Sequence, residues 1–338
     1  MKNLSFVDKV LFIINNLMAF ALLLSYILPF FSPEKFAQLA ILSLLVPILI
    51  IINIGFVIFW MIKFKKEFLL STIALLIGFK FVNSLYKFPS EPIVDEKKGI
   101  SLMSYNVKMF NLYQWIDDKN TNTKIVSFIK NENADILCLQ EYHASEQKNI
   151  HYKYRYIKTN EDRSKIGQAI FSKYRIINSG SLNFKNSGNN AIFADIVIKK
   201  DTIRVYNIHL ESVKINPFKE YFGEQDTQRL RLRFEKAFKK QVAQTQLILD
   251  HQKTTTLKTI ICGDFNNTSF SWVHRQLKME KKDAFDEFGT GFGQSFDYPF
   301  PLRIDFILVD ESIEITQFKT FKVNYSDHFP VMARFKFN

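Results

Sequence analysis

The chain has 338 residues and carries 45 Lys and Arg against 33 Asp and Glu, a formal charge of +12. Residues 1–95 contribute +3 of this surplus and residues 96–338 contribute +9. A basic surplus is typical of proteins that meet phosphate esters, nucleic acid or acidic membrane surfaces, and equally of plain solubility. Cys138 and Cys262 lie in apolar runs, so we expect buried unpaired thiols. Their spacing excludes a disulfide framework and a cysteine-based zinc site.

Residues 1–88 are predicted to form a membrane anchor of about three helices. The apolar runs 10–31, 36–62 and 68–86 are each long enough to cross a hydrocarbon core, which needs about 20 helical residues. The third run contains Lys80 near its far end, where a Lys side chain can extend to the interface. The first run is too long for a signal peptide, lacks a small-residue cleavage site, and a second run follows it. The runs contain no buried acids or paired charges, which favours a plain anchor over a transporter.

The loop charges predict how the anchor is oriented. Lys63, Lys65 and Lys66 cluster between the second and third runs. The positive-inside rule places this loop and the N-terminus in the cytoplasm. Three crossings then make the chain an integral protein of the bacterial inner membrane, with its C-terminal domain in the periplasm. If the third run lies in the interface plane instead, two crossings leave that domain in the cytoplasm.

Residues 89–98, with two prolines and mixed charge, are predicted to be a linker to a domain at 99–338. Short strands and helices alternate in this domain, which predicts an α/β fold of stacked layers. The predicted strands are 99–107, 134–142, 167–176, 190–198, 202–210, 258–267, 303–310 and 328–337, and the predicted helices are 122–131, 229–251 and 269–277.

Two segments of the domain have a possible membrane role. The basic stretch 229–240 is predicted to be an ordinary amphipathic helix, and the alternative is a helix that rests on acidic lipid headgroups. The aromatic stretch 215–222 is more simply a loop than a contact with membrane or substrate.

Polar residues recur at or beside the ends of the predicted strands of the domain. Strand ends are where a sheet presents reactive groups to a crevice. Acids, amides and imidazoles gathered there have the composition of a site for a hard cation such as Mg²⁺, with water and phosphate as its other ligands. The residues are Asn106, Glu141, Asn207, His209, Asp264, Asn266, Asp305, Asp327 and His328.

The ordered blocks "MSYNV", "LCLQE", "GQAIFSK", "YNIHLES", "CGDFNN", "RIDFILV" and "YSDHFPV" resemble the endonuclease/exonuclease/phosphatase superfamily. The resemblance covers residues 100–337 and leaves the anchor out. It implies the DNase-I-like fold, a four-layer arrangement in which helices flank a sandwich of two β-sheets, with the site at one edge. It also implies hydrolysis of phosphate esters with Mg²⁺ or Mn²⁺.

The same resemblance implies a metal site. Glu141 matches the metal-binding glutamate of the family, Asn106 matches the asparagine that supports this metal, and Asp327 is expected near it.

The resemblance further implies catalytic residues. Asp264 and Asn266 match the pair that activates the attacking water and holds phosphate, and His209 matches a histidine that contacts phosphate. Asp305 is expected to orient a histidine or assist the leaving group, and His328 to lie at the scissile phosphate. We also expect Asn207, together with Asn266 and His209, to contact substrate. The reaction itself requires groups of these types. Phosphoester hydrolysis needs a base that takes a proton from the attacking water and donors that stabilise the negative charge as it develops.

The sequence therefore predicts a membrane-tethered, metal-dependent phosphodiesterase that acts on nucleic acid or on a phospholipid or sphingolipid headgroup. Hydrolysis of a soluble or lipid phosphomonoester is the alternative, and a binding module that has lost activity is a further one. We expect no obligate protein partner.

Overall fold

The structure, a computed structural model, describes residues 4–88, 99–160, 165–214 and 224–337. The predicted linker 89–98 and the aromatic stretch 215–222 lie outside the described residues.

Within these residues the chain forms two mixed six-stranded sheets, whose strands are numbered here in chain order. In spatial order, the first sheet contains β11 (Glu314–Thr320), β12 (Val331–Lys336), β1 (Ile100–Asn106), β2 (Ile136–His143), β4 (Ile166–Ser172) and β3 (Tyr154–Thr159). The second contains β5 (Ile176–Ser181), β6 (Ala191–Ile198), β7 (Asp201–His209), β8 (Lys258–Asp264), β10 (Asp305–Asp310) and β9 (Lys281–Asp283). The pairs β1–β2 and β7–β8 are parallel, and the other pairs are antiparallel.

The two sheets pack face to face through alternate residues of their strands. Leu102 and Cys138 from the first sheet and Val205 and Cys262 from the second are fully buried in one shared core. Alternation along each strand directs every second side chain to this core, where burial of a Val or Leu side chain contributes about 1.5–3 kcal/mol. Both cysteines are buried and unpaired, which confirms the prediction.

Helices cover the outer faces of both sheets, so the predicted four-layer sandwich is confirmed. Ile125 and Ile129 of one helix pack against the first sheet, and Ile248 and Val273 of two others pack against the second. The domain helices are α6 (Thr121–Glu132), α7 (Glu224–Gln252), α8 (Trp272–Lys278) and α9 (Ala284–Phe288).

One predicted strand ends earlier than expected. The stretch 167–176 contains β4 as far as Ser172, and its last residue, Ile176, already begins β5 in the other sheet. The chain turns at 173–175, so the predicted strand is correct over 167–172 and wrong beyond it. The turn residues are Lys, Tyr and Arg, without the Gly or Pro that marks a turn, so the pattern did not reveal the change of sheet. The short or half-exposed strands β3, β9 and β11 were not predicted.

The N-terminal residues form helices α1 (Phe6–Ser25), α2 (Pro33–Leu42), α3 (Val46–Ile62), α4 (Leu69–Ile77) and α5 (Phe79–Leu85). Two stretches, Phe6–Phe30 and Pro33–Ile62, are long and apolar enough to span a membrane. The third candidate is a pair of helices bent by 78°. The bend falls at Gly78, where a Cβ atom would lie 1.9 Å from the ring of Tyr26. Glycine is therefore required for this close approach.

Helices α1, α3 and α4 are joined by a buried polar contact. The Ser71 hydroxyl on α4 bridges the side-chain oxygens of Asn15 on α1, at 3.1 Å, and Asn53 on α3, at 2.8 Å. Hydrogen bonds of this kind hold helices together in apolar surroundings. An ion pair between Lys63 and Asp8 joins α3 to α1 at one end of this bundle.

The domain packs against the other end of the bundle. The ring of Phe81 on α5 stacks on Phe270, with ring centroids 6.0 Å apart. The Ser84 hydroxyl donates to Asp286 at 3.0 Å, and α2 packs along α7. The N-terminal helices are thus held on the domain by direct contacts at the end remote from Lys63.

Candidate active site

The polar strand ends converge at one edge of the sandwich, and the strand order explains why. In each sheet a parallel pair, β1–β2 and β7–β8, brings the carboxyl ends of two strands together. These ends present Asn106, Glu141, His209 and Asp264. Asp305 begins β10 directly opposite Asp264, because β10 runs antiparallel to β8.

Asp264 is the centre of the site, and its side chain is almost completely buried. Its Oδ1 accepts the backbone N–H of Asn266 at 2.8 Å, and its Oδ2 accepts Nδ2 of Asn106 at 3.1 Å. Two imidazoles flank Oδ2: His209 Nε2 at 3.5 Å and His328 Nε2 at 3.7 Å. Both distances exceed a good hydrogen bond, and both histidines line the cleft beside the carboxylate.

His328 is oriented by Asp305. It lies just before β12, and its Nδ1 donates to Asp305 Oδ2 at 2.9 Å, with both side chains buried. This bond fixes the tautomer and leaves Nε2 on the cleft side. Burial opposes the charged imidazole, but the carboxylates of Asp305 and Asp264 outweigh it and raise the pKa of His328 to about 10. His328 is therefore an imidazolium donor at neutral pH.

Asp264 and His209, the two groups beside His328, are expected to be unprotonated and neutral, respectively, where His328 is charged. Burial raises the pKa of Asp264 to about 6, against the opposing charge of His328. Burial lowers the pKa of His209 below its ordinary value, so this ring is neutral at pH 7. The site thus combines a carboxylate whose pKa suits a general base with a cationic donor.

Glu141 and Asp327 supply two further carboxylates. Glu141 has a left-handed backbone (φ 48°), and its Oε1 accepts Nδ2 of Asn106 at 3.4 Å. Burial raises the pKa of Glu141. Asp327 accepts Lys108 Nζ at 2.6 Å. Although burial disfavours its charge, neighbouring His328 and Lys108 lower the pKa of Asp327.

The charges and donor atoms of the site suit a divalent cation. Four carboxylates face two cationic groups, which leaves a surplus of two negative charges. Glu141 forms no ion pair with a described Lys or Arg. Atoms of Asp264, Asp305 and His328 lie within 4.8 Å of one another, a separation at which they could hold a metal ion. His328 Nδ1 already bonds Asp305, so the oxygen donors around Glu141 match a hard cation better.

Two predicted substrate contacts have different surroundings. Asn207 is completely buried between the sheets, where its Nδ2 donates to the carbonyls of Leu139 and Ala169. It does not line the cleft, and its position favours a structural role instead of substrate contact. Asn266 does line the cleft, and its Nδ2 donates to the carbonyl of Leu210 at 3.0 Å.

Other residues at the site were not predicted from the sequence. Lys108 follows Asn106 by two positions, and this proximity is the one signal that pointed to it. The ring of Phe296 packs on His328 with centroids 5.0 Å apart, yet no local pattern marks it. A cleft of about 420 Å³ is lined by Glu141, Asp264, His328 and other predicted site residues. Leu44 and Ile48 of the N-terminal helices form part of its wall.

Comparison with solved structures identifies similar folds. A functionally unknown conserved protein from Enterococcus faecalis V583 is 20% identical over 71% of this chain and 100% of its own, with a TM-score of 0.53. A mannosyl-6-phosphatase from Bacteroides thetaiotaomicron VPI-5482 is 16% identical over 70% and 100%, with a TM-score of 0.52. D. rerio TDP2 complexed with single-strand DNA product is 14% identical over 71% and 100%, with a TM-score of 0.54. At these identities the likeness shows the fold alone.

Family comparisons divide the chain as the fold does. A domain of unknown function (DUF8431) matches residues 8–85. No curated protein matches the chain significantly. The Endonuclease/Exonuclease/phosphatase family matches residues 103–328, about two thirds of the chain, and the chain therefore belongs to this family.

Proposed function

We propose that the protein is a membrane-tethered, divalent-metal-dependent phosphoesterase that hydrolyses a phosphodiester. The observation that carries this proposal is the buried His328–Asp305 pair beside the Asp264 carboxylate. Members of the family are phosphoester hydrolases, and the three residues supply the base, the donor and the positioning group that such a reaction needs.

Asp264 and His328 divide the proton transfers. Asp264, with its pKa near 6, accepts a proton from the attacking water. His328 donates from Nε2 to the phosphate and then to the leaving oxygen, while Asp305 holds its ring in the required tautomer. Both groups are in the correct protonation state near neutral pH.

Phosphate is oriented by the remaining polar groups of the cleft. Neutral His209 lies beside Asp264, with Nε2 3.5 Å from the same carboxylate oxygen that His328 approaches. Asn266 is held over the strand end by its backbone bond to Asp264. Preorganised donors of this kind are each worth a few kcal/mol when charge develops in the transition state.

Glu141, Asn106 and Asp327 hold the metal in this proposal, because Glu141 is a partly buried carboxylate at the cleft without a described Lys or Arg partner. The family is generally dependent on divalent metals, and Mg²⁺ or Mn²⁺ suits these oxygen donors. When bound, such an ion supplies charge neutralisation at the phosphoryl oxygens.

A phosphomonoester is the second candidate substrate. The fold is shared with a mannosyl-6-phosphatase, whose name describes monoester hydrolysis. It is also shared with TDP2, whose structure was solved with a single-strand DNA product, so nucleic acid is a further substrate to test. A non-catalytic binding module is disfavoured because the predicted catalytic positions are all occupied by suitable residues.

The anchor completes the proposal. Three apolar segments cross the bacterial inner membrane, and the domain lies in the periplasm. Two observations support this: Lys63 pairs with Asp8 at one end of the bundle, and the domain contacts are at the other end.

The test is hydrolysis by the full-length protein in detergent micelles, with bis(p-nitrophenyl) phosphate and p-nitrophenyl phosphate as a diester and a monoester. Activity should favour the diester and should disappear with EDTA and return with Mg²⁺ or Mn²⁺. Asp310→Asn, a change on the same strand as Asp305 but outside the cleft, is the control. Equal activity with EDTA present would refute metal dependence, and cleavage of the monoester alone would select the second candidate.

A further inference from the structure

The cleft is lined by two kinds of side chain. Glu141, Asp264 and His328 are among its polar residues. About half of the described lining residues are aliphatic or aromatic, and these are called the apolar wall here. The members used below are Leu44, Ile48, Phe234, Phe296 and Phe300.

The apolar wall comes from both parts of the chain. Phe234 belongs to α7, and Phe300 lies in the loop before β10. Leu44 and Ile48 belong to the stretch Pro33–Ile62, which is a candidate membrane span. Packing of α2 along α7 holds this stretch in place, so the span itself forms part of the cleft.

Further contacts away from the cleft fix the N-terminal helices and the domain together. The guanidinium of Arg275 on α8 lies 4.1 Å from the ring centroid of Phe30, which follows α1. Phe81 of α5 stacks on Phe270. These contacts hold the cleft in a fixed position at the domain-facing end of the candidate spans.

Exposed apolar surface continues from the cleft along α3. Ile48 is 41% exposed, and Ile51, nearly one turn further, is 40% exposed. Ile58 lies further along the same helix and is 53% exposed. Exposed Ile side chains on a candidate span are the surface that hydrocarbon chains would cover. A hydrocarbon chain that covers these side chains would reach the cleft at Ile48.

The charge of the cleft does not match a polynucleotide. Lys214 is the one Lys or Arg among the described residues that line it. Proteins that bind single-stranded nucleic acid use a positively charged groove along the backbone, with aromatic platforms for the bases. A single phosphate with an apolar substituent fits the observed surface better.

We propose that the substrate is a membrane lipid phosphate ester, with its phosphate at Asp264 and His328 and its hydrocarbon chain along Leu44 and Ile48. This inference rests on the proposed phosphoesterase function and names its substrate class. The apolar wall begins at Phe296, which packs on His328, so the group that leaves next to His328 is the lipid alcohol.

The reaction then balances as hydrolysis at phosphorus. The water oxygen forms the new bond to phosphorus, and the bond from phosphorus to the lipid alcohol oxygen breaks. Asp264 takes one water proton, and the alcohol oxygen receives a proton from His328. A diester gives a phosphorylated headgroup and a neutral lipid alcohol, and proton exchange with water restores both side chains.

The experiment compares chain lengths and cleft variants of the full-length protein. In detergent micelles with Mg²⁺, kcat/KM is measured for phosphatidylglycerol, phosphatidylethanolamine and phosphatidic acid, each in dioleoyl and in water-soluble dibutyryl form. Bis(p-nitrophenyl) phosphate and single-strand DNA are the non-lipid arms. At least one dioleoyl lipid should exceed its dibutyryl form by at least about tenfold, which is the scale of one good apolar contact.

The variants localise the effect to the proposed wall. Leu44→Gln and Ile48→Gln should each lower the ratio of dioleoyl to dibutyryl activity by about tenfold. Ile13→Gln, the same change at an exposed position of α1 that does not line the cleft, should leave this ratio unchanged. Melting temperatures show whether each variant is folded, and the chain-length comparison in the unmodified protein does not depend on any variant.

The possible outcomes separate this inference from the function on which it rests. Hydrolysis of bis(p-nitrophenyl) phosphate without hydrolysis of any dioleoyl lipid would overturn the lipid assignment and leave the phosphoesterase intact. Faster cleavage of single-strand DNA than of every lipid would do the same. If folded Leu44→Gln and Ile48→Gln keep the ratio of dioleoyl to dibutyryl activity, the hydrocarbon chain does not bind along the apolar wall and the proposal is refuted. Inactivity toward every substrate would refute the phosphoesterase itself.

Discussion

Asp305→Asn tests whether the His328–Asp305 pair positions the donor for catalysis. The two groups are buried, with Nδ1 and Oδ2 2.9 Å apart. At an effective dielectric constant of about 20, opposite unit charges at this distance attract by about 6 kcal/mol. The amide keeps the shape and part of the hydrogen bond, so we expect about half of this energy to be lost. This attraction is present before the reaction as well, so its loss alone does not raise the barrier. The effect on rate comes from orientation: without Asp305 the ring of His328 is no longer held in one tautomer and position, and loss of a preorganised donor lowers kcat about a hundredfold.

The assay measures kcat and KM for bis(p-nitrophenyl) phosphate together with the melting temperature of the same preparation. Because Asp305 acts through His328 and does not touch substrate, kcat should fall while KM changes little. Asp310→Asn, at the other end of β10, removes the same charge from a partly exposed position and should behave as the unmodified protein.

A purely structural role for Asp305 predicts the opposite pattern. The variant would then melt at a lower temperature and keep nearly normal kcat per folded molecule. Folded Asp305→Asn with kcat within about threefold of the unmodified protein would refute the positioning role.

Four further predictions follow from the site, the core and the anchor. Glu141→Gln should weaken Mn²⁺ binding in calorimetry by at least about tenfold, and Glu146→Gln should not; equal binding in both would exclude Glu141 as a ligand. Asp264→Asn and His328→Ala should each lower kcat by at least about a hundredfold, and the double variant should lose far less than the product, which multiplicative losses would contradict. Asp283→Asn should lower the free energy of unfolding by about 3 kcal/mol, because Asp283 is buried 2.7 Å from a buried Arg, and an unchanged thermal melt would count against this pair. A C-terminal alkaline phosphatase fusion should be active and a C-terminal GFP fusion dark, and the reverse result would place the domain in the cytoplasm.

Much of the fold could be predicted from the sequence, because local patterns carry the required information. Alternating apolar residues predicted the central strands, and the block series around Asp264 and His328 predicted the sandwich and its family. Cys138 and Cys262 were correctly expected to be buried and unpaired. The polar strand ends were expected at one edge, and the structure brings Asn106, Glu141 and the other predicted residues except Asn207 to the cleft or its immediate surroundings.

The tertiary structure alone decided which surfaces meet. Asn207 has the same local sequence pattern as the cleft residues, yet its side-chain amide lies between the sheets and donates to backbone carbonyls of β2 and β4. Lys108 approaches Asp327 across 219 positions of the chain. Ile48 lines a cleft whose polar candidate residues follow it by more than ninety positions. Periodicity shows which face of a helix or strand is apolar, and it does not show what that face will contact. Those contacts depend on the packing of distant elements, and the shape of the catalytic cleft depends on them.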